Sequence, residues 1–464
     1  MSIAAQADTP SGQPATRRAF WAGRATRGET LTTTAASAVD ASLAGAAPLG
    51  AGRLKIFLFG GLLLLLINFS APMNGLIDIP VTFFLKNRMH LESNQLAVFK
   101  LWTGAPLFAG FMFGFFRDRW SPFGLGDRGH LMLFGGTTAL IYGAVALLQP
   151  TYAVFLGGLF LATVTFQMAG SAANGLISTL GQRLAMAGQM SSLLNVAYAL
   201  PGLVAYGLGG ILSQQLESRN AVVAAQILFL IAASLMGAIA LFGAFGPRDV
   251  FQVGHDAPPT ASFGGDIIRI LKHWPIYPAM TIQLLWQFAP GIGTVLQYHL
   301  TNTLHASDAQ WGAWNAIFQA AFIPVYLAYG FLCQRVKLSI LLWIGFALGT
   351  VQMVPMLFVH SAAGALIAAA PLGILGGIGQ GALFDLTIRS APKGLQGTTL
   401  MMFWAMFYIS TRFGDLFGTW LYDHHGGFIP PFIATIVSTG LTLPVLLFVP
   451  KRLVNSTDGE ALAL

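Results

Sequence analysis

Charge is scarce in this chain: Lys, Arg, Asp and Glu make up 9% of its 464 residues, against about a quarter in a soluble domain. That shortage excludes an ordinary soluble fold, whose surface needs far more charge. Cysteine is scarcer still. Cys333 stands alone, so no intrachain disulfide can form. Catalytic signatures are missing too. The histidines show no metal-ligand spacing: His424-His425 are adjacent, and His299 and His305 flank a short gap. Gly373, Gly376, Gly377, Gly379 and Gly381 form a glycine-rich run, but no strand precedes it and no Gly-Lys-Ser/Thr comes after it. No nucleophile elbow, paired catalytic carboxylates or Walker motif occurs, which argues against an enzyme or an ATP-driven pump. No metal and no cofactor are expected.

What is abundant is apolar sequence. Hydrophobic residues make up 55% of the chain, and its mean hydropathy is +0.67. Between Leu54 and Pro450 one apolar block succeeds another, each near the ~20 residues that cross a bilayer as a helix. Breaking at charge, Pro and Gly clusters gives about twelve helices, the first over residues 56–86 and the seventh over 275–300. The expected class is an all-α polytopic membrane protein. Its domains would be a disordered tail 1–53, six helices over 54–245, a linker 246–274, six helices over 275–450 and a tail 451–464. The linker is marked by Pro247, Gly254, Pro258, Pro259 and Gly264-Gly265. A faint repeat relates the halves: Gly114-Phe115-Phe116-Arg117-Asp118-Arg119 is echoed by Gly330-Phe331-Leu332-Cys333-Gln334-Arg335.

Arg117, Arg119, Arg128, Arg183, Arg248, Arg269, Lys272, Arg335, Lys337, Arg389, Lys393, Lys451 and Arg452 all fall on one side of such a bundle. Positive loops stay inside, so both termini are expected in the cytoplasm and the protein in a bacterial inner membrane. The net charge of +7 is therefore spread over loops by topology. It is not gathered on one face for nucleic acid.

A charge at the centre of a membrane helix costs about 2.5–3.5 kcal/mol on insertion scales, so each one needs a reason. Asp78, Lys100, Asp385, Arg412 and Asp415 lie within the spans, whereas the third, sixth, ninth and twelfth helices carry no interior charge. That distribution implies apolar supports around a polar interior. Asp78 and Lys100 reach similar depths on consecutive helices, and with Asp415 they are candidates for proton or ion coupling; the alternative is a structural lock. Arg412 either neutralises Asp415, three residues on, or anchors a substrate anion through its planar guanidinium. Asp385 precedes Arg389 by one turn and suits a gate. Gln167, Gln283, Gln287, Asn315 and Gln319 either satisfy one another between helices or orient a planar organic solute.

Six helices plus six, a long central loop and Gly114-x-x-x-Asp118-Arg119 between the second and third helices resemble the major facilitator superfamily. Trp120-Ser121-Pro122-Phe123-Gly124 before Arg128-Gly129-His130-Leu131, with Phe84-Leu85-Lys86 and Leu91-x-Ser93-x-Gln95-Leu96, is similar to its folate-biopterin transporter branch. His130 departs from the Tyr usual there. The resemblance implies secondary active transport by alternating access, with Gly114, Asp118, Arg119 and Arg128 as gating residues. It also implies a small-molecule substrate such as a pterin or folate. Symport, which would need a titrating carboxylate such as Asp78 or Asp415, and facilitated passage, which would not, both stay open. The alternative is a transporter-like factor that handles a pigment or cofactor, or assists membrane-complex assembly. Oligomeric state is not legible.

Overall fold

The computed structural model describes residues 49–73, 75–91, 93–253 and 263–460, and among these there are helices and no strands. Most of the expected N-terminal tail, 1–48, and the middle of the linker, 254–262, lie outside the described residues. The chain divides into two units, Met1–Ile56 and Phe57–Leu464. The first is described only from Leu49 onward, as the start of one helix; the second holds the bundles and the site.

The first half runs α1 Leu49–Ser70, α2 Asp78–Asn87, α3 Ser93–Phe108, α4 Gly110–Arg119, α5 Asp127–Leu147, α6 Tyr152–Arg183, α7 Ala187–Glu217 and α8 Ala221–Phe245. The described parts of the linker form α9 Arg248–Val253 and α10 Phe263–Lys272. The second half runs α11 Ile276–Gln287, α12 Thr294–Tyr298, α13 Asp308–Leu332, α14 Leu338–Val351, α15 Ala362–Ser390, α16 Gln396–His424, α17 Ile429–Gly440 and α18 Thr442–Val445, and α19 Lys451–Val454 opens the tail. Among the described residues, nine helical stretches are long and apolar enough to cross a membrane. The fold is two six-helix bundles. Helix starts at the loops are closed locally: Thr151 caps α6, Asn220 caps α8, Ser361 caps α15, and Ser307 with Gln310 forms a capping box on α13.

Two of the expected spans are interrupted by several residues, whereas the second and twelfth pause for a single residue. The first stops at Ser70 and resumes at Asp78, because Pro72 has no N–H to continue α1 and the chain doubles back so that Leu76 donates to the Phe69 carbonyl at 3.0 Å. Gly75 sits in this fold-back, where any Cβ would collide with the Ala71 carbonyl. Asp78 then starts α2, the favourable end for an anion.

The seventh span breaks over 288–293, where Pro290 and Gly293, at φ +71°, end α11 and re-aim the chain. Backbone groups freed in a membrane must find protein partners. Here α16 and α17 supply them: Gly291 N donates to Thr435 Oγ1 at 2.7 Å, Ser410 Oγ donates to Leu284 O at 2.6 Å, and Ser438 Oγ donates to Leu285 O at 2.7 Å. Asp415 accepts from Thr294 N at 3.0 Å and Thr294 Oγ1 at 2.9 Å, closing the start of α12.

Packing across the halves is what positions the site. Helix α16 lies against α4 and α6, and α7 lies against α13 and α15. Because Asp415 meets both donors of Thr294, Asp415→Asn should lower stability by about 1.5–3 kcal/mol, the range for a hydrogen bond to a charged group. Thermal unfolding in detergent would read the loss. Thr294→Ala should add little to it, since both changes remove the same interaction.

Candidate functional site

A cavity of about 130 Å³ lies between the halves, lined by Asn68 of α1, Gln167 and Asn174 of α6, Tyr198 of α7, Gln319 of α13, and Met401, Trp404 and Tyr408 of α16. None of its lining residues is charged. The fold dictates this lining. The break after Ser70 brings Ala71, Pro72 and Met73 to the cavity wall, and the helical repeat turns Met401, Trp404 and Tyr408 to one face of α16. The rings of Tyr198 and Trp404 meet across the halves with centroids 5.2 Å apart.

Two amides in this lining are unengaged. Among the described residues, Gln167 and Gln319 find no protein hydrogen-bond partner, and the Trp404 indole N–H is buried without one. Asn68 and Asn174 by contrast donate to Leu64 O at 2.8 Å and Gly170 O at 2.9 Å on their own helices. The cavity can thus offer two free amides from opposite halves, beside an aromatic wall.

The structure sorts the residues singled out in the sequence. Gln167 and Gln319 line the cavity. Gln283 is fully buried and faces α16, donating to Phe403 O at 3.4 Å. Gln287 and Trp286 both donate to Gln380 Oε1, at 3.3 and 2.6 Å, and Asn315 donates to Trp311 O at 2.9 Å. Gln287 and Trp286 thus engage Gln380 of α15 and Asn315 its own helix, all outside the lining. Arg412 lies one turn beyond Tyr408 on the same face of α16; it is exposed, and no described acid pairs with it, because Asp415 turns to Thr294.

Lys100 Nζ is 3.7 Å from Asp78 Oδ1. The pair flanks a pocket of about 10 Å³ that shares Pro72 and Met73 with the central cavity. Asn68, Tyr198, Trp404 and Tyr408 do not stand out in the sequence. The only signal for the last two is their spacing toward Arg412 along one helix face.

On the Arg-rich side the halves are closed by hydrogen bonds. Asp118 accepts from Gly397 N at 3.2 Å and from Thr398 N and Oγ1 at 2.7 Å each, capping α16. Arg117 holds it from below, donating to Asp118 Oδ1 at 2.7 Å and to Asp127 Oδ1 at 2.6 Å. Gly114 makes room, since a Cβ there would run into the Gly397 backbone. Arg119 reaches Asp266 of α10 at 3.6 Å. Arg128 leaves this cluster and caps the end of α8, donating to Gly243 O at 3.0 Å and Ala244 O at 2.6 Å.

Gln182 adds bonds to Ile388 O and Ala391 O, each at 2.7 Å. Asp385 pairs with Arg389 at 2.6 Å and accepts from Tyr329 at 3.0 Å. The tail joins them: Asp458 accepts from Arg389 at 3.0 Å, from Gly188 N at 3.0 Å and from Gln189 N at 2.8 Å. Burial, reinforced by Asp385 beside it, raises the Asp458 carboxyl from its ordinary 3.8 to about 6. Among the described residues no cluster of His, Cys, Asp and Glu could hold a metal ion.

Residues 73–341 match the BT1 family. No curated protein matches the chain by sequence. Solved structures of low identity share the fold. FucP, a major facilitator superfamily transporter in the outward conformation, is 17% identical over 85% of this chain and 99% of its own, with a TM-score of 0.66. The proton:xylose symporter XylE is 15% identical over 88% of this chain and 98% of its own, at 0.64. The human organic anion transporter MFSD10 is 16% identical over 87% of this chain and 100% of its own, at 0.59.

Proposed function

Because the chain belongs to the BT1 family and has the major facilitator fold, we propose that this secondary transporter carries a planar, hydrogen-bonding organic solute through the cavity between its halves. The observation that carries this reading is the pair of free amides, Gln167 and Gln319, on opposite walls of a cavity with an aromatic side. An amide offers a donor and an acceptor side by side, as the edge of a heteroaromatic ring does. Tyr198 and Trp404 supply faces for such a ring. A pterin-like head fits this chemistry.

Arg412, exposed one turn beyond Tyr408, suits an anionic tail on the same solute. Gln283, Gln287 and Asn315 then act by packing the walls rather than by touching solute. Asp78 and Lys100 are the proposed coupling pair: protonating Asp78 beside a water-sized pocket would release Lys100 and link a proton to the cycle. Asp415, held by Thr294, suits the scaffold better than coupling. The Arg-rich side would face the cytoplasm, with Gly114, Asp118, Arg119 and Asp385 closing it.

Purified protein should be stabilised against heat by a pterin or folate in a panel that also holds aromatic acids, nucleosides and sugars, in proportion to how far each exceeds its dissociation constant. Gln167→Ala and Gln319→Ala should each abolish the shift. Arg412→Ala should weaken an anionic member by about tenfold and spare its neutral counterpart. Silence across the panel, or hits indifferent to both glutamines, would sink the cavity reading.

Uptake of any hit by proteoliposomes tests the coupling pair. Asp78→Asn should end accumulation against a gradient while leaving equilibration. If Asp78→Asn and Lys100→Met each stopped uptake and the double variant restored it, the pair would be a structural lock instead.

A further inference from the structure

The repeat that aligns Gly114 with Gly330 aligns Asp118 with Gln334. The glycines behave alike: Gly114 packs on the start of α16 at Gly397, and Gly330 packs on α7 at Ser192. The residues at the next marked position do not. Asp118 caps α16, whereas Gln334 is exposed and donates to Gly330 O of its own helix at 2.8 Å. The second half has no capping carboxylate at this position.

The start of α7 is nevertheless capped in the same register. Helix α16 opens at Gln396 and Asp118 takes the next two amides, Gly397 and Thr398; α7 opens at Ala187 and Asp458 takes the next two amides, Gly188 and Gln189. In both cases one carboxylate oxygen meets each amide, and an arginine pairs with the carboxylate: Arg117 with Asp118, Arg389 with Asp458. The tail is tied on both sides. Asp458 N donates to Cys333 O at 2.9 Å in the second half, and Gly459 N donates to Ala185 O at 2.7 Å in the first. Arg389 grips it further through Ser456 Oγ at 2.9 Å.

We propose that the C-terminal tail is a strap that supplies, through Asp458, the capping carboxylate absent at Gln334, so that it holds α7 to α13 and α15 and keeps the Arg-rich side of the transporter shut. The strap must leave α7 each time that side opens. It acts by positioning helices and touches no solute.

The test uses the full chain in lipid nanodiscs, with Cys333→Ser as background and spin labels at Leu184→Cys and Arg335→Cys, at the Arg-rich ends of α6 and α13. Asp458→Asn, and separately deletion of residues 455–464, should enlarge the long-distance population by about tenfold, the scale of losing a charge-assisted hydrogen bond. Asp458→Glu should restore much of the short-distance population. The second readout is alkylation of the native Cys333, which is buried beside the tail and should react about tenfold faster once the segment is deleted. Faster alkylation with unchanged distances would reduce the tail to a local cover and overturn the strap. Unchanged distances and unchanged alkylation would overturn it as well. Should the deletion fail to fold, the near-isosteric Asp458→Asn still decides.

Discussion

A helix that starts inside this protein must have its first amides met by an acceptor, because neither hydrocarbon nor a packed interior supplies water to do it. Three aspartates meet that requirement in the same way. Asp118 closes α16, Asp458 closes α7 and Asp415 closes α12, each taking donors from the first residues of a helix that belongs to another segment of chain. The anion is favoured there by the helix dipole as well as by the bonds. Two of these contacts cross between the halves, so the requirement that completes a helix also decides which bundle faces touch. The third fixes where the seventh span bends.

The polar groups of the interior divide by the same rule. Gln287 and Trp286 share Gln380, Asn315 and Asn195 bond to their own helices, and Arg128 ends α8. A side-chain bond between helices contributes about 0.6 kcal/mol within a membrane bundle, while an unmet buried group costs about 1–3 kcal/mol. That asymmetry makes the unengaged amides of Gln167 and Gln319 informative. They are tolerated because they open onto a cavity rather than onto packed side chains.

Much of the architecture is legible in the sequence. Apolar block lengths give the bundle, and the depths of Asp78 and Lys100 along consecutive helices bring them together as the structure does. Asp118 is legible through its motif. The breaks at 71–77 and 288–293 are not, because hydropathy averages over a span and Pro72, Gly75, Pro290 and Gly293 hardly change the average. Spacing places Arg412 and Asp415 on one face, but the broken seventh span offers Asp415 two donors that a continuous helix would have kept for itself. The amides are harder still, since a turn of 100° per residue decides between cavity and wall, and a sequence fixes faces only relative to one another. Asp458 lies in a tail with no periodicity, where nothing in the local sequence hints that it docks on α7.

The approach of Gly114 to Gly397 is backbone against backbone, with no side chain between them. Side chains at a moving contact can trade rotamers and let it settle at a range of separations. Two bare peptide chains have no such adjustment. The separation of α4 and α16 is therefore set here by atomic radii, in the manner of a mechanical stop.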